Sequence, residues 1–150
     1  MNFILDNNLY DINYLYIMEP VSNNVIENGT FYRIMYSNSH MTLNSLIFEI
    51  KLYNVNVIKI FNKYKISYNN DTNKTENFHT IKEVENNILN KFSLEKTPKK
   101  CIMESVDSDN IKLYSDKELD NYYDNISIYL KISGFWLNDE EYGLTYKFLC

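Results

Sequence analysis

The sequence predicts a mainly β fold with one central helix, arranged as an antiparallel OB-like barrel or a half-open sheet. Short segments rich in β-branched and aromatic residues recur along the chain, and one stretch near the middle changes to helical spacing. Successive strands without helices between them favour antiparallel pairing over a series of βαβ units. At 150 residues, the chain is expected to form one domain, residues 1–150.

The first half of the chain contains most of the predicted strands. They cover residues 12–18, 20–27, 30–36, 45–53 and 55–68. Pro20 is expected to end the first strand, because proline cannot donate to a strand ladder. Asn28-Gly29 is a strong hairpin signal and predicts the turn between the second and third strands. A polar loop at residues 69–77 then interrupts the strands.

A helix is predicted over residues 80–93. Its start is marked by Thr80 and Glu83, which have the spacing of a capping box. One face carries the apolar residues Ile81, Val84, Ile88, Leu89 and Phe92. The opposite face, expected to meet solvent, carries Lys82, Glu85, Asn86 and Asn90.

The second half of the chain returns to strand patterns. These are predicted at residues 102–106, 111–114, 126–133 and 143–149. The acidic segment at residues 116–124 is expected to be a loop or a short helix. No repeat, linker or disordered tail is indicated by the composition.

Composition restricts the class of protein. The net charge is −5, which argues against a purely electrostatic nucleic-acid binder but leaves room for a local basic surface. Heavy use of Asn, Ile, Lys, Tyr and Phe is typical of an AT-rich genome. Cys101 and Cys150 lack a secretory context and are expected to be reduced thiols. With no apolar run of ~20 residues, the sequence predicts an intracellular protein of the host cytoplasm or nucleus, not secreted and without membrane contact.

Motifs for catalysis, metal binding or cofactor binding are missing from the sequence. His40 and His79 stand in no recognisable relation to the two cysteines, and the three glycines form no phosphate-binding loop. Glu49 and Lys51 match the E-x-K half of a metal-dependent nuclease site. The upstream acid of such a site would have to be Asp11, Glu19 or Glu27. Since E-x-K is common on exposed strand faces, we expect no enzyme activity, no metal and no cofactor.

Strand alternation predicts a surface that combines lysines with aromatic rings. In the segment 55–68, one face is expected to be core and carries Ile58, Ile60, Tyr64, Ile66 and Tyr68. The other face, together with the outward residues near the C-terminus, gives the candidate nucleic-acid-binding residues. These are Lys59, Phe61, Lys63, Lys65, Tyr129, Lys131 and Trp136, with Trp136 placed where its strand leaves the sheet. Lysines can neutralise phosphates while rings stack on bases, as single-stranded nucleic acid requires.

The segment LKISGFWLNDEEYGLTYKF, residues 130–148, carries a family resemblance. It resembles the closing segment of small proteins from large DNA viruses and cytoplasmic linear plasmids. In those proteins an LKISG-x-W strand precedes a short acidic turn and YGLTYKF. Some of them are single-stranded DNA-binding or replication accessory proteins, and the resemblance implies such a role here.

The sequence therefore favours a non-enzymatic single-stranded DNA-binding protein that acts in viral or plasmid DNA replication. One alternative is a viral structural or host-factor-interaction module that binds no nucleic acid. A second is the metal-dependent nuclease built on Glu49 and Lys51. Self-association into a homo-oligomer is also expected, because an exposed final strand could pair with another chain.

Overall fold

A computed structural model of the protein describes residues 4–6, 9–23, 29–68 and 77–150. Within these ranges the chain forms nine β-strands and two α-helices, preceded by a short 3₁₀ helix, Ile12–Tyr14. The mainly β character is confirmed, whereas the prediction of one helix is wrong. The strands are β1 (Leu15–Asn23), β2 (Gly29–Ser37), β3 (Thr42–Leu43), β4 (Leu46–Ile60), β5 (Lys63–Tyr68), β6 (Thr97–Lys99), β7 (Ile111–Tyr114), β8 (Tyr122–Leu137) and β9 (Glu141–Leu149). The helices are α1 (His79–Lys91) and α2 (Cys101–Asp107).

The nine strands form one mixed sheet in the order β1-β2-β8-β4-β5-β7-β9-β6, with β3 beside β2. Strand β9 also pairs with β8, and it runs parallel to both β6 and β7. The prediction of a purely antiparallel sheet is therefore wrong. Strands β7 and β9 run parallel because the chain reverses direction between β7 and β8 and again between β8 and β9.

Strand β8 is the longest element and joins three neighbours. Its residues up to Ile132 pair with β4, and its residues from Gly134 onward pair with β2. On its other edge β9 pairs with both parts, and the register shifts between Ile132 and Gly134. A bulge of this kind bends a strand and lets it exchange partners.

The segment predicted as one strand at residues 55–68 is a hairpin. Strand β4 runs to Ile60, a two-residue turn follows, and β5 returns with Ile58 opposite Lys65 and Ile60 opposite Lys63. Residues opposite each other share a face, so the two isoleucines lie beside lysines on the outer face. They are 53% and 47% exposed, and their expected core position is wrong.

The N-terminal hairpin is confirmed, with two differences from its prediction. Strand β1 continues through Pro20, because β1 has β2 as its sheet neighbour on one side and proline is tolerated at a sheet edge. Gly29 is already paired with Asn23 in the ladder, so the prediction that Gly29 belongs to the turn is wrong, and Asn28, the other predicted turn residue, lies outside the described residues.

Helix α1 is confirmed, and its apolar face is buried as predicted. The helix does not begin in the way that was predicted. The N-cap residue is Phe78 and makes no side-chain capping bond, so the predicted capping box is wrong. Residues 102–106, predicted as a strand, belong to helix α2. Lys82 of α1 forms an ion pair with Asp107 of α2 at 2.6 Å. Buried side chains of both helices join those of the strands in the hydrophobic core.

Glu85, predicted to meet solvent, is fully buried between the two helices. Its Oε2 accepts the N–H of Ile102 at 2.8 Å, and its Oε1 accepts the N–H of Met103 at 2.9 Å. The first N–H groups of a helix have no partner within the helix, so this carboxyl satisfies two of them in α2. Burial raises the pKa of Glu85, and the two N–H bonds oppose that rise only in part.

The last strand is not a free edge. Strand β9 pairs with β8 on one side and, at residues 141–143 and 148–149, with β6 and β7 on the other, so β9 is not the free edge strand on which the predicted self-association was based. In the part of the chain that the structure describes, no helix has the length and apolar character needed to cross a membrane.

Replacing Glu85 by alanine is expected to lower the free energy of unfolding by about 2–4 kcal/mol, because two N–H groups of α2 lose their acceptor. Urea denaturation followed by circular dichroism measures this. A loss below ~0.5 kcal/mol would show that the link between the helices contributes little.

The Glu85 carboxyl also makes the free energy of unfolding depend on pH. Its pKa is raised above the ordinary value of 4.5, so its contribution to stability is complete below pH 4.5 and is lost as the pH rises through the folded pKa. The stability of the wild type relative to Glu85→Gln should therefore fall from pH 4.5 upward. If the stability of the wild type relative to Glu85→Gln instead rises with pH, the raised pKa of Glu85 is contradicted.

Candidate nucleic-acid interface

Four lysines lie on the outer face of four neighbouring strands. Lys65 of β5 is opposite Lys112 of β7, and Lys147 of β9 is opposite Lys131 of β8. The two pairs are continuous, because the β7–β9 register begins one residue after Lys112 and Lys147. These two side chains also line one shared cleft. We call Lys65, Lys112, Lys147 and Lys131 the lysine row.

The lysine row concentrates positive charge within an acidic chain. Like charges directly opposite each other on neighbouring strands destabilise a sheet. Among the described residues, none of the four lysines has a carboxylate within 4.0 Å. Other lysines do have such partners, as Lys82 has in Asp107. Asp116 lines the same cleft as Lys147 without such a contact, so the row is a cationic surface on which an external anion could bind.

Aromatic rings accompany the lysine row. The Tyr114 ring of β7 contacts the ammonium groups of Lys147 and Lys63, which lie 4.4 Å and 5.1 Å from its centroid. Tyr129 of β8 lies opposite Leu149 of β9. Tyr114, Tyr129 and Lys147 together line a cleft of about 550 Å³. Cations beside partly exposed rings are the combination that single-stranded nucleic acid uses.

Four of the sequence-predicted residues are brought together on this face. They are Lys63, Lys65, Tyr129 and Lys131. Lys59 lies on the other face of the sheet. There it pairs with Tyr64, and its Nζ is 4.0 Å from a carboxylate oxygen of Glu118. The two-residue turn reverses the alternation between β4 and β5, which is why one continuous strand gave Lys59 the wrong face. Phe61 occupies the turn itself and is 93% exposed.

Trp136 is part of β8 and does not mark the point where the strand leaves the sheet. It lies between Phe31 of β2 and Gly143 of β9. A Cβ built on Gly143 would be 2.8 Å from the indole ring, so the ring packs directly on that glycine. Trp136 is half-buried and therefore contributes to packing as well as to the outer surface.

Sequence reasoning missed Lys112 and Tyr114 and did not assign Lys147 to the site. Each has a visible signal, because Ile111 to Tyr114 and Tyr146 to Phe148 alternate apolar with polar residues. Alternation assigns a face but does not say which strands are neighbours. Pairing of β7 with both β5 and β9 is what brings these residues to Lys65 and Lys131.

The nuclease alternative gains no support from the described residues. Glu49 accepts a hydrogen bond from the Ser127 hydroxyl at 2.8 Å. Across residues 4–6, 9–23, 29–68 and 77–150, no three His, Cys, Asp or Glu side chains are grouped to hold a metal ion. Burial raises the pKa of the Cys101 thiol, and it also raises that of Cys150, which disfavours the reactive thiolate at neutral pH.

Comparisons with protein-family models, with curated proteins and with solved structures find no significant match to this chain. Function must therefore be inferred from the residues themselves. The strongest local feature is the lysine row with its neighbouring tyrosines.

Replacing either Lys65 or Lys112 by glutamate should raise the free energy of unfolding by about 0.2–1 kcal/mol, because an opposite-charge pair replaces a like-charge pair. The double variant restores like charges and should lose this gain. Urea denaturation at low salt measures all four proteins of the cycle. Two gains that simply add in the double variant would contradict the proximity of the two side chains.

Proposed function

We propose that this chain is a non-enzymatic single-stranded DNA-binding protein that acts in the replication of a viral or plasmid genome. The observation that carries the proposal is the lysine row, in which cations lie opposite cations and, among the described residues, have no carboxylate within 4.0 Å. Such an arrangement costs stability in the free protein and becomes favourable when phosphates bind. The row concentrates positive charge in a chain whose net charge is −5.

In this proposal, the phosphate backbone follows the lysine row across β5, β7, β9 and β8. Neighbouring strands are about 4.8 Å apart, so a single strand crossing them meets a lysine at each step. Bases turned toward the part of the outer face beside the lysine row would meet Tyr129. Stacking on such a ring contributes about 1–3 kcal/mol per base. Trp136 extends the aromatic surface beyond Lys131 along β8.

We further propose that β4, β5, β7, β9 and β8 form an OB-like barrel. Support comes from the pairings, since β4 pairs with β5, β5 with β7, β7 with β9, β9 with β8 and β8 with β4. OB-folds bind oligonucleotides on the face of their second and third strands. In this circuit those strands would be β5 and β7, which carry Lys63, Lys65, Lys112 and Tyr114.

The choice of DNA, and of a replication role, is supported by the resemblance of residues 130–148 to replication proteins of DNA viruses and linear plasmids. The lysine row itself would accept either nucleic acid, because phosphates carry no sugar identity. Matched RNA and DNA oligonucleotides therefore belong in the same experiment.

A protein-binding module is the second candidate function, and strand β1 favours it. Tyr16, Met18 and Val21 are exposed along this edge strand. Exposed apolar side chains on an unpaired edge are typical of a surface that pairs with another chain. Binding there would leave the lysine row free, so the two functions are separable by mutation.

The wild type should bind a labelled thymidine oligonucleotide with an affinity that falls steeply as salt increases. Replacing Lys112 by glutamine should weaken binding and reduce the slope of log K against log salt by about 0.7. Fluorescence anisotropy between 25 and 200 mM salt, roughly the range in which such slopes are measured, gives both quantities.

Lys51→Gln is the matched control. Lys51 is an exposed lysine on β4, about 13 Å along the strand from Ile47, which is opposite Lys131. This variant should keep the wild-type affinity and slope. Absence of wild-type binding at the lowest salt, or equal effects of Lys51→Gln and Lys112→Gln, would refute the proposal.

A further inference from the structure

The turn between β4 and β5 is strained. It consists of two residues, Phe61 and Asn62, because Ile60 is opposite Lys63. Phe61 has a φ of 55°, in the left-handed region where turns of this length normally place glycine, asparagine or aspartate. A bulky side chain at such an angle is an outlier that costs stability. The cost is not offset by burial, because Phe61 is 93% exposed.

The turn also belongs to a mixed apolar and cationic surface. Ile58 and Ile60 are exposed behind Phe61 and lie opposite Lys65 and Lys63. A cleft of about 250 Å³ at this end is lined by Ile60, Phe61, Lys63, Lys65, Asn110 and Lys112. Two members of the lysine row therefore share a cleft with the strained ring.

The position of Phe61 relative to the lysine row indicates what the ring could contact. The row begins beside the turn with Lys65 and Lys112 and continues away from it to Lys147 and Lys131. Lys65 and Lys112 share the cleft at the turn with Phe61, so a polyanion that follows the row passes beside Phe61 at that end. Tyr129 lies on the face beside the row, whereas Phe61 projects from the turn at the end of the β4–β5 hairpin.

We propose, on the basis of the proposed function, that Phe61 stacks on the end of a duplex where it meets the bound single strand. The protein would then prefer a single-strand/duplex junction over a single strand. Apolar side chains that insert at or between base steps are a common device in DNA-binding proteins. The terminal base pair offers an aromatic surface that buries the ring, and the short turn between paired strands holds the ring in place for it.

An anionic membrane is the competing ligand, because an apolar tip surrounded by lysines can also bind a lipid surface. Continuation of the lysine row across four strands favours a linear polyanion, since a lipid surface would meet the lysines around the tip first. Vesicles are therefore included as an arm of the test.

The test compares two labelled DNAs, a thymidine 20-mer and the same 20-mer extending from a stable hairpin, by fluorescence anisotropy. The wild type should bind the junction about tenfold more tightly. Phe61→Ala should lose this preference and keep most of its affinity for the single strand. Phe61→Gly should lose it as well and also raise the melting temperature, because glycine relieves the left-handed strain. Tyr16→Ala, which removes an exposed ring from β1, should leave the preference unchanged.

Each other outcome decides against the inference in a distinguishable way. Equal wild-type binding of both DNAs overturns the junction preference and leaves the proposed function standing. Absence of binding to either DNA overturns both. A lower melting temperature for Phe61→Gly overturns the claim of strain. Phe61-dependent binding to vesicles of phosphatidylserine and phosphatidylcholine, without a junction preference, assigns the turn to a lipid surface instead.

Discussion

The architecture depends on the close approach of β2 to β8 at Gly134. A Cβ at this position would lie 2.0 Å from the backbone oxygen of Tyr32, so no other residue fits without separating the two strands. Gly134 follows the register shift at which β8 exchanges β4 for β2 while keeping β9 on its other edge. One glycine thus permits a single strand to hold three neighbours.

The shift at this point also determines which side chains face outward. Ile132 and Phe135 are both buried, although they are three positions apart and simple alternation would place them on opposite faces, because the extra residue of the bulge changes the alternation. Lys131 before the bulge and Trp136 after it therefore share the outer face. Lys131 lies opposite Lys147, and Trp136 lies over Gly143. Loss of this register would separate the lysine row from Trp136, whereas Tyr129 precedes the shift on the same strand as Lys131.

Local patterns in the sequence predicted much of this structure. The apolar spacing of Ile81, Val84 and Ile88 identified α1, and alternation along residues 126–133 and 143–149 identified parts of β8 and β9. What local patterns missed depends on contacts distant in the chain. Residues 102–106, which belong to α2, were predicted as a strand because their local sequence carries no helix cap. The carboxyl that satisfies the first N–H groups of α2 comes from Glu85 in another helix.

The candidate site shows the same division. Lys63, Lys65, Tyr129 and Lys131 were predicted from strand alternation, which needs only the local sequence. The turn at Phe61 was missed because phenylalanine gives no signal for a left-handed turn, and that error moved Lys59 to the wrong face.

Continuity of the lysine row could not be predicted, because it requires knowing that β7 lies between β5 and β9. Strand order is decided by the whole sheet, and cross-strand pairs such as Lys65 and Lys112 leave no trace in either segment alone.

The most direct test of the account is an NMR titration of the ¹⁵N-labelled protein with a thymidine oligonucleotide. If the lysine row binds the strand, amide shifts should concentrate at Lys65, Lys112, Lys131 and Lys147, with smaller changes at the Trp136 indole. Shifts confined to Tyr16, Met18 and Val21 on β1, or no shifts at low salt, would contradict it.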